Sequence, residues 1–283
     1  MGAGTAGLAA ESKARSEGAR TLLIDPYFAG TTCANVGCMP SKLLIAAGEA
    51  AHGARQAHTF GVKVSAPVID GPAVMARLRK HRDAFVASVK QSFDDLPDGI
   101  CQKARARFTG PSQLSLDDGR TVSFRSAVIA TGSEPVIPDA YRPFEDLILT
   151  SENLFELPDL LDSVGVIGAG PLGLELAQAL SRLGVRVEVF DMSETLAGLP
   201  AGDIEASLRE PLERELPMHL GVKPEPSRTD AGVKLRWDGK TEGEATFSRL
   251  LLSTGRKPQL SGLGLEAAGI EMDDHGTPQF DPS

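Results

Sequence analysis

The feature that most constrains the fold of this 283-residue chain is a glycine pattern that occurs twice with the same spacing. The first copy lies at residues 2–7 and is followed by a helical pattern and a strand pattern that ends in Asp25. The second lies at residues 168–173 and leads in the same way to Asp191. The first glycine and the acid are 25 − 2 = 23 positions apart in one copy and 191 − 168 = 23 in the other. Equal spacing over so many positions predicts an internal duplication.

Each copy has the residues of a dinucleotide-binding fold. Glycines at this spacing permit a tight turn, and they let a pyrophosphate approach the N-terminus of the following helix. The acid at the end of the second strand is placed to hold a ribose hydroxyl. The residues of this kind are Gly2, Gly4, Gly7 and Asp25 in the first copy, and Gly168, Gly170, Gly173 and Asp191 in the second. We therefore predict an α/β fold with two Rossmann-like, three-layer dinucleotide-binding domains.

Hydrophobic periodicity predicts the remaining elements. Helical periodicity covers residues 41–59, 70–95 and 203–216. Period-two alternation covers residues 102–129, and a strand is predicted at residues 233–237. Each copy closes on a strand that runs into a Thr-Gly pair, namely residues 127–132 in the first copy and 250–255 in the second. The duplication therefore extends to the end of each unit.

Two cysteines five positions apart form the second informative pattern. Cys38 lies just before an apolar helical run, and Pro40 is typical of the first turn of a helix. The positive end of a helix dipole favours a thiolate, so we expect a lowered pKa for Cys38. A thiolate beside the second thiol, Cys33, could exchange with an outside disulfide. Two structural cysteines or half of a zinc site are the alternatives, but zinc needs about four ligands and the remaining cysteine, Cys101, has no neighbour of its kind. No metal site is predicted.

Composition limits the classes of partner. The formal net charge is −9 and no basic cluster offsets it, which argues against a nucleic-acid partner or an anionic membrane. No apolar run approaches the ~18–20 residues of a membrane span, and no leader pattern directs export. Three cysteines are more typical of catalytic than of structural use in a reducing compartment. We expect a cytoplasmic protein.

The combination of two dinucleotide folds with a Cys-x4-Cys pair directly after the first acid resembles the pyridine nucleotide–disulfide oxidoreductases, most closely the dihydrolipoyl dehydrogenase branch. The residues that carry the resemblance are Gly2, Gly4, Gly7, Asp25, residues 33–42, Ala130, Thr131, Gly132, Gly168, Gly170, Gly173, Glu175, Thr254, Gly255 and Arg256. The chain resembles a member that is truncated at both ends. By this resemblance we expect the given sequence to lack the first FAD-fold strand, the second FAD motif and the C-terminal dimerisation domain.

The resemblance implies a domain order and two cofactors. Residues 1–147 would form the FAD-binding domain without its first strand, residues 148–258 the NAD-binding domain, and residues 259–283 the start of a return segment. Expected catalytic residues are Cys33 as the interchange thiol, Cys38 as the thiol that faces the flavin, and Lys42 paired with Glu175. Cofactor contacts are expected from Gly2, Gly4, Gly7, Asp25, Gly30, Thr32, Lys42, Ala130, Thr131, Gly132, Gly168, Gly170, Gly173, Glu175, Asp191 and Gly255.

The implied activity is a dithiol/disulfide oxidoreductase. Electrons would pass between a substrate dithiol, a Cys33–Cys38 disulfide, FAD and NAD(H), and the substrate would be a small molecule or a lipoyl domain. The alternatives are a mercuric-reductase-like or glutathione-reductase-like enzyme, or an incomplete nucleotide-binding fragment without turnover. We expect this chain by itself to bind FAD poorly, and a homodimer only for the full-length parent. Asp191, followed by no arginine in residues 192–195, predicts a preference for NAD(H) over NADP(H).

Overall fold

The computed structural model describes residues 1–274 and 276–280 of the chain. Contacts divide the chain into two compact units. The first unit contains residues 1–35, 84–134 and 257–283, and the second contains residues 36–83 and 135–256. Residues 36–83, which the sequence assigns to the first domain, therefore pack with the second unit. Parts of the predicted return segment, His275 and residues 281–283, lie outside the described residues.

The elements follow in chain order. The α-helices are α1 (Thr5–Ser16), α2 (Thr32–Asn35), α3 (Cys38–Gln56), α4 (Gly71–Asp94), α5 (Pro171–Arg182) and α6 (Asp203–Glu213). The strands are β1 (Leu23–Asp25), β2 (Cys101–Lys103), β3 (Ala106–Gly110), β4 (Gln113–Leu116), β5 (Thr121–Ser123), β6 (Ser133–Pro135), β7 (Ile148–Leu149), β8 (Ser163–Ile167), β9 (Arg186–Asp191), β10 (Met218–Leu220), β11 (Val222–Thr229), β12 (Gly232–Gly239), β13 (Gly243–Phe247), β14 (Arg249–Leu252) and β15 (Arg256–Pro258). Short 3-10 helices cover Ala57–Phe60, Asp139–Leu147, Leu154–Glu156 and Leu265–Ala268.

The second unit is built on a parallel sheet with the strand order β10-β9-β8-β14-β7. Every residue of the central strand β8 is buried, as expected for a parallel strand covered on both faces. The second unit has two core clusters. Val164 and Val166 belong to the first, which also contains the inner faces of α3 and α5, and Ile167 belongs to the second. Because the strands are parallel, the carboxyl ends of β8, β9 and β14 meet at one edge of the sheet.

An antiparallel sheet of β11, β12 and β13 completes the second unit. Alternate residues of β12, Val233, Leu235 and Trp237, are buried in the second core cluster of this unit. This alternation is the period-two pattern that predicts a strand at residues 233–237, and the prediction is confirmed.

In the first unit, β1 and β2 pair in parallel, and β3, β4 and β5 form an antiparallel sheet. The chain start lies beside β1, since Gly2 N donates to Ile24 O at 2.8 Å. On its other side the Met1 ammonium donates to Val128 O at 2.9 Å, and Ala130 N donates to Met1 O at 2.8 Å. The strand predicted at residues 127–130 is not formed as a strand, because two hydrogen bonds to a single residue do not make a continuous ladder.

The α/β fold class is confirmed by the parallel sheet and its flanking helices. Helix positions predicted from periodicity agree with α3, α4 and α6 to within a few residues, and helix ends are the least certain part of such predictions. Within residues 1–274 and 276–280, no helix has both the length and the apolar composition needed to cross a membrane.

Candidate functional site

The second glycine loop lies at the edge where β8 ends. Gly168 has a φ of +108°, and a Cβ there would lie 2.5 Å from Ser253 O, which follows β14. A Cβ at Gly173 would lie 2.1 Å from Gly168 O. Both positions therefore require glycine on steric grounds. A Cβ at Gly170, by contrast, would meet no atom within 4 Å, so the loop is open at its middle glycine.

The first glycine loop repeats this geometry. Gly2 has a φ of +94°, and a Cβ there would lie 2.2 Å from Ala130 O. A Cβ at Gly7 would lie 1.8 Å from Gly2 O, whereas one at Gly4 would meet nothing within 4 Å. The duplication inferred from spacing is thus present in the backbone: the outer glycines are closed by contacts and the middle glycine is open.

Each loop also ends in a bare helix N-terminus. Gly4 is the N-cap of α1 and Gly170 the N-cap of α5, and neither helix has a side-chain cap. The first N–H groups of an uncapped helix are free to donate to an anion, and the helix dipole favours a negative charge at that end. An open middle glycine beside an uncapped helix is a cradle that a pyrophosphate fits. The residues of both loops are therefore suited to a dinucleotide.

The acid at each strand end is tied to its glycine loop. Asp191 Oδ2 accepts a hydrogen bond from Ala169 N at 2.6 Å, and Oδ1 accepts one from Ser193 N at 2.7 Å. In the first unit, Asp25 Oδ2 accepts from Ala3 N at 2.9 Å. Asp25 Oδ1 also accepts from Tyr27 N and Phe28 N, at 2.8 and 2.7 Å. A carboxylate can accept about four hydrogen bonds, so about two acceptor positions remain for ribose hydroxyls on Asp191 and about one on Asp25. Each acid can therefore hold the loop and still accept a ligand.

The three cysteines occupy different local environments. Cys38 is the first residue of the 19-residue helix α3, is exposed to solvent and is a thiol in this structure. Cys33 lies on the short helix α2 and is half-buried. A redox-active cysteine pair alternates between a dithiol and a disulfide form. The cysteines are thiols in this structure, so the Cys33–Cys38 bridge remains a prediction.

Cys101 lies on β2, and its thiol is poorly suited to chemistry. Its Sγ lies 3.8 Å from Phe93 O. Although Cys101 is an exposed residue, partial burial of its sulfur raises the pKa of the thiol, and the negative charges of Glu11 and Asp94 raise it further. A raised pKa lowers the thiolate fraction at neutral pH, and the thiolate is the reactive form.

Lys42 and Glu175 form an ion pair in the second unit. Lys42 lies one turn into α3 and Glu175 in the first half of α5, and Nζ lies 2.9 Å from Oε1. The two helices approach closely because Gly48 faces the α5 backbone, where a Cβ would lie 3.0 Å from Ala179 O. Both charged side chains are about half exposed, so the pair contributes little to stability. It does hold a cation in one orientation at the surface.

The other residues expected to contact cofactors have local roles that the structure explains. Gly30 has a φ of +101°, and a Cβ there would lie 3.0 Å from Asn35 Nδ2. Thr131 Oγ1 donates to Gln259 O at 2.7 Å, and Gly132 has a positive φ of +76°. The remaining positions of this group are Thr32 at the start of α2, Ala130 beside Met1, and Gly255 after β14 with a φ of +101°.

Sequence reasoning missed one charged group near Asp191. Lys240, which follows β12, places Nζ 3.0 Å from Glu194 Oε2 in the loop after β9. Only the pairing of distant segments brings the two residues together, so no local motif signals it. Within the described residues, no group of three or more His, Cys, Asp or Glu side chains is placed to hold a metal ion.

Comparisons with known proteins agree with this geometry. A family model described as pyridine nucleotide-disulphide oxidoreductase matches residues 1–283. The chain is 32% identical over 288 residues to a mercuric reductase of Streptomyces lividans, a match that covers 98% of this chain and 60% of that protein. It is 32% identical over 291 residues to a dihydrolipoyl dehydrogenase of Thermus scotoductus, with the same two coverages.

A solved structure gives the same result at the level of fold. The HOCl-induced flavoprotein disulfide reductase RclA from Escherichia coli matches with a TM-score of 0.82 and 21% identity, over 99% of this chain and 61% of that one. The chain thus spans about 60% of the length of the relatives it matches. Because the family model matches residues 1–283 of the chain and both glycine loops are in place, the chain belongs to the pyridine nucleotide-disulphide oxidoreductase family.

Proposed function

We propose that the protein is an FAD- and NAD(H)-linked dithiol/disulfide oxidoreductase of the dihydrolipoyl dehydrogenase type. The observation that carries the proposal is the Cys33/Cys38 pair, whose second member opens a long helix in a chain with two dinucleotide loops. Family membership supports an oxidoreductase, and relatives named dihydrolipoyl dehydrogenase and mercuric reductase support thiol chemistry.

In this proposal the first glycine loop binds FAD. Gly4 leaves room for a pyrophosphate, the N–H groups at the start of α1 would donate to it, and Asp25 would accept from the ribose. When bound, FAD would relay an electron pair between the thiols and the nicotinamide. The role of the protein is to hold the thiols and charges in place.

The thiol steps use only residues of this chain. A substrate thiolate attacks Cys33 Sγ of the oxidised pair, which forms a mixed disulfide and releases Cys38 as a thiolate. The second substrate thiol then attacks the substrate sulfur of the mixed disulfide, so the substrate leaves as a disulfide and Cys33 as a thiol. One S–S bond is broken and one is formed, and two electrons move to the cysteine pair. Cys38 is the first residue of α3 and is exposed, so its sulfur is accessible in this exchange.

The Lys42–Glu175 pair supports the same chemistry by its charge. In this proposal Lys42 would lie near the flavin ring, where a cation would favour the reduced, anionic form. Glu175 at 2.9 Å limits the orientations of the ammonium group. The pair is thus assigned an electrostatic role and not a role in stability.

The second loop is proposed to bind NAD(H) in preference to NADP(H). Asp191 retains lone pairs for the 2′- and 3′-hydroxyls of the adenosine ribose. A 2′-phosphate would place like charge against this carboxylate. Ala169 N and Ser193 N hold the carboxylate at the strand end, which supports this orientation.

The substrate class follows the thiol pair. We propose a small or lipoyl-domain dithiol/disulfide, a homodimer for the natural full-length protein, and a cytoplasmic location. Mercuric ion is the second candidate, because a mercuric reductase matches at the same identity as a dihydrolipoyl dehydrogenase.

Thiol mapping by alkylation and mass spectrometry tests the proposal. Mild oxidation with lipoamide should protect Cys33 and Cys38 together, while Cys101 remains unbridged and is alkylated once the protein is unfolded in urea. In a Cys38→Ser variant, Cys33 should remain open as well. Bridging of Cys101, or free Cys33 and Cys38 after oxidation, would contradict the mechanism.

A turnover assay on the natural gene product, supplemented with FAD, separates the substrates. Reduction of NAD⁺ by dihydrolipoamide supports the first candidate, and oxidation of NADH by Hg²⁺ the second. Nucleotide binding without either reaction would favour a binding protein without turnover.

A further inference from the structure

A surface cavity begins one residue beyond Asp191, at the end of β9. Its volume is about 340 Å³, and it is lined by Met192, Gly221, Val222, Lys223, Asp238 and Gly239. It therefore lies where the chain continues from the proposed ribose acid. Any role of this region in nucleotide recognition rests on the proposed binding of a nicotinamide nucleotide by the second glycine loop.

Backbone contacts hold the loop after Asp191 against the end of the antiparallel sheet. Gly221 N donates to Ser193 O at 2.9 Å, and Lys240 N donates to Gly221 O at 3.1 Å. Gly221 has a φ of +67°, and a Cβ there would lie 3.1 Å from Glu194 Cγ and 3.5 Å from Lys240 Cβ. Glycine at this position thus lets Glu194 and Lys240 meet.

The two side chains form an ion pair at this point. Lys240 Nζ lies 3.0 Å from Glu194 Oε2, and both side chains are largely exposed. The backbone of Glu194 is held independently, because Arg209 Nη2 donates to Glu194 O at 2.7 Å. Arg209 is itself paired with Glu205 on the same helix. Removal of the Glu194 carboxylate therefore leaves the loop in place and leaves Lys240 without its partner.

We propose that Glu194 determines nucleotide specificity by neutralising Lys240. A 2′-phosphate on the adenosine ribose would lie beside Asp191 and the residues that follow it. There it would meet the Asp191 carboxylate. Lys240 is held to this loop through Gly221, and its charge is already matched by Glu194. Without the Glu194 carboxylate, Lys240 becomes a cation able to bind the 2′-phosphate. In this proposal Glu194 prevents Lys240 from acting as the cation of an NADP-binding site.

Calorimetric titration with adenosine 5′-monophosphate and adenosine 2′,5′-bisphosphate tests the proposal on the whole chain. The two probes differ only in the 2′-phosphate and need no turnover. Glu194→Gln should improve the Kd for the bisphosphate relative to the monophosphate by about tenfold at low ionic strength. Added salt should reduce this gain. In a Glu194→Gln/Lys240→Gln double variant the gain should vanish.

A matched control is Glu244→Gln, which removes the partner of Lys234 on the antiparallel sheet, where the two groups are 3.4 Å apart. It should leave the ratio of the two Kd values unchanged. No gain with Glu194→Gln, or a gain that persists in the double variant, would overturn the proposal. An NADH titration of the wild-type chain separates the two failures: NADH binding without the specificity change rejects this inference alone, and no NADH binding rejects the proposed function with it.

Discussion

At the scale of single residues, the same side chain can hold the fold and serve a ligand. Asp191 accepts hydrogen bonds from the backbone of its glycine loop and of the turn that follows β9. Its counterpart, Asp25, accepts from Ala3 N in the first loop. A carboxylate suits both tasks because two oxygens offer more acceptor positions than the backbone uses. The Asp191 side chain can therefore bind the backbone of the glycine loop and still accept a hydrogen bond from a ligand.

Tyr141 gives a pH-dependent prediction. The residue is buried and its hydroxyl donates to Pro224 O at 3.2 Å. Burial raises the pKa of Tyr141 to about 12 from its usual value of 10.0. Between pH 10.0 and about 12, the Tyr141 hydroxyl therefore keeps its proton in the folded protein and loses it in the unfolded chain. Stability from this group is complete below about pH 10 and is lost as the pH rises towards 12, by up to about 2–3 kcal/mol.

Tyr141→Phe removes this pH dependence. At neutral pH the variant should be less stable by about 1 kcal/mol, because it lacks the hydrogen bond. The gap in free energy of unfolding should narrow above about pH 10 and then reverse. Urea unfolding across this range measures it, with Tyr27→Phe as a control, since Tyr27 is mostly exposed. A constant gap at all pH values would contradict the assignment.

Cys101 should be slow to react in the folded protein. Burial, Glu11 and Asp94 raise the pKa of its thiol, so its thiolate fraction at about pH 8 is lower than in an unfolded chain. Alkylation with iodoacetamide should therefore be slower at Cys101 in the native protein than at the same residue in urea. Glu11→Gln should speed the native reaction if the charge contributes. Equal rates in the native and unfolded protein would argue against a raised pKa.

At the scale of elements, the strand–glycine loop–helix unit carries the candidate nucleotide chemistry. The outer glycines are required by the backbone they contact, whereas the middle glycine faces open space. The helix after each loop lacks a side-chain cap. Each unit thus leaves backbone donors next to free volume, where water or an anion can accept hydrogen bonds from them.

Gly170→Ala and Gly173→Ala separate binding from folding. A Cβ at residue 170 meets nothing within 4 Å, so this variant should fold with unchanged thermal stability and bind NADH at least about tenfold more weakly. A Cβ at residue 173 would lie 2.1 Å from Gly168 O, so that variant should lose stability outright. Thermal unfolding and calorimetry measure the two effects. Normal NADH binding by the Gly170→Ala variant would contradict the assignment of this loop as the pyrophosphate-binding site.

At the scale of the whole molecule, two units with separate cores carry two glycine loops of the same geometry. The second unit has two core clusters around its parallel sheet, and the first unit has two smaller ones. A ligand that binds the native state stabilises the structure that forms its site. Each cofactor should therefore act first on the unit that contains its loop.

Hydrogen exchange with each nucleotide tests this assignment. NADH at about 100 times its Kd should stabilise the native state by about 2.7 kcal/mol and slow exchange in β8, β9 and α5. FAD should slow exchange in β1 and α1. The Gly170→Ala variant is the matched control, because it should lose the NADH effect and keep that of FAD. Protection of the opposite unit by either ligand would reverse the assignment of the loops.

The sequence by itself predicts the duplication, the α/β class and the position of the glycine loops, because these depend on local spacing. Gly168 and Gly2 have positive φ values, a local backbone property that glycine adopts readily, although the atoms that exclude a Cβ there come from distant residues. The same holds for the helix that begins at Cys38, 41 − 38 = 3 residues before the predicted periodic segment and two before Pro40.

Only the tertiary structure decides the contacts between residues far apart in the chain. It places residues 36–83 with the second unit, and it shows residues 127–130 paired with Met1 alone instead of forming a strand. It also brings Lys240 to Glu194, 46 positions away. The physical reason is that strand pairing and helix packing depend on which backbone is available at a distance, and local periodicity carries no information about that partner.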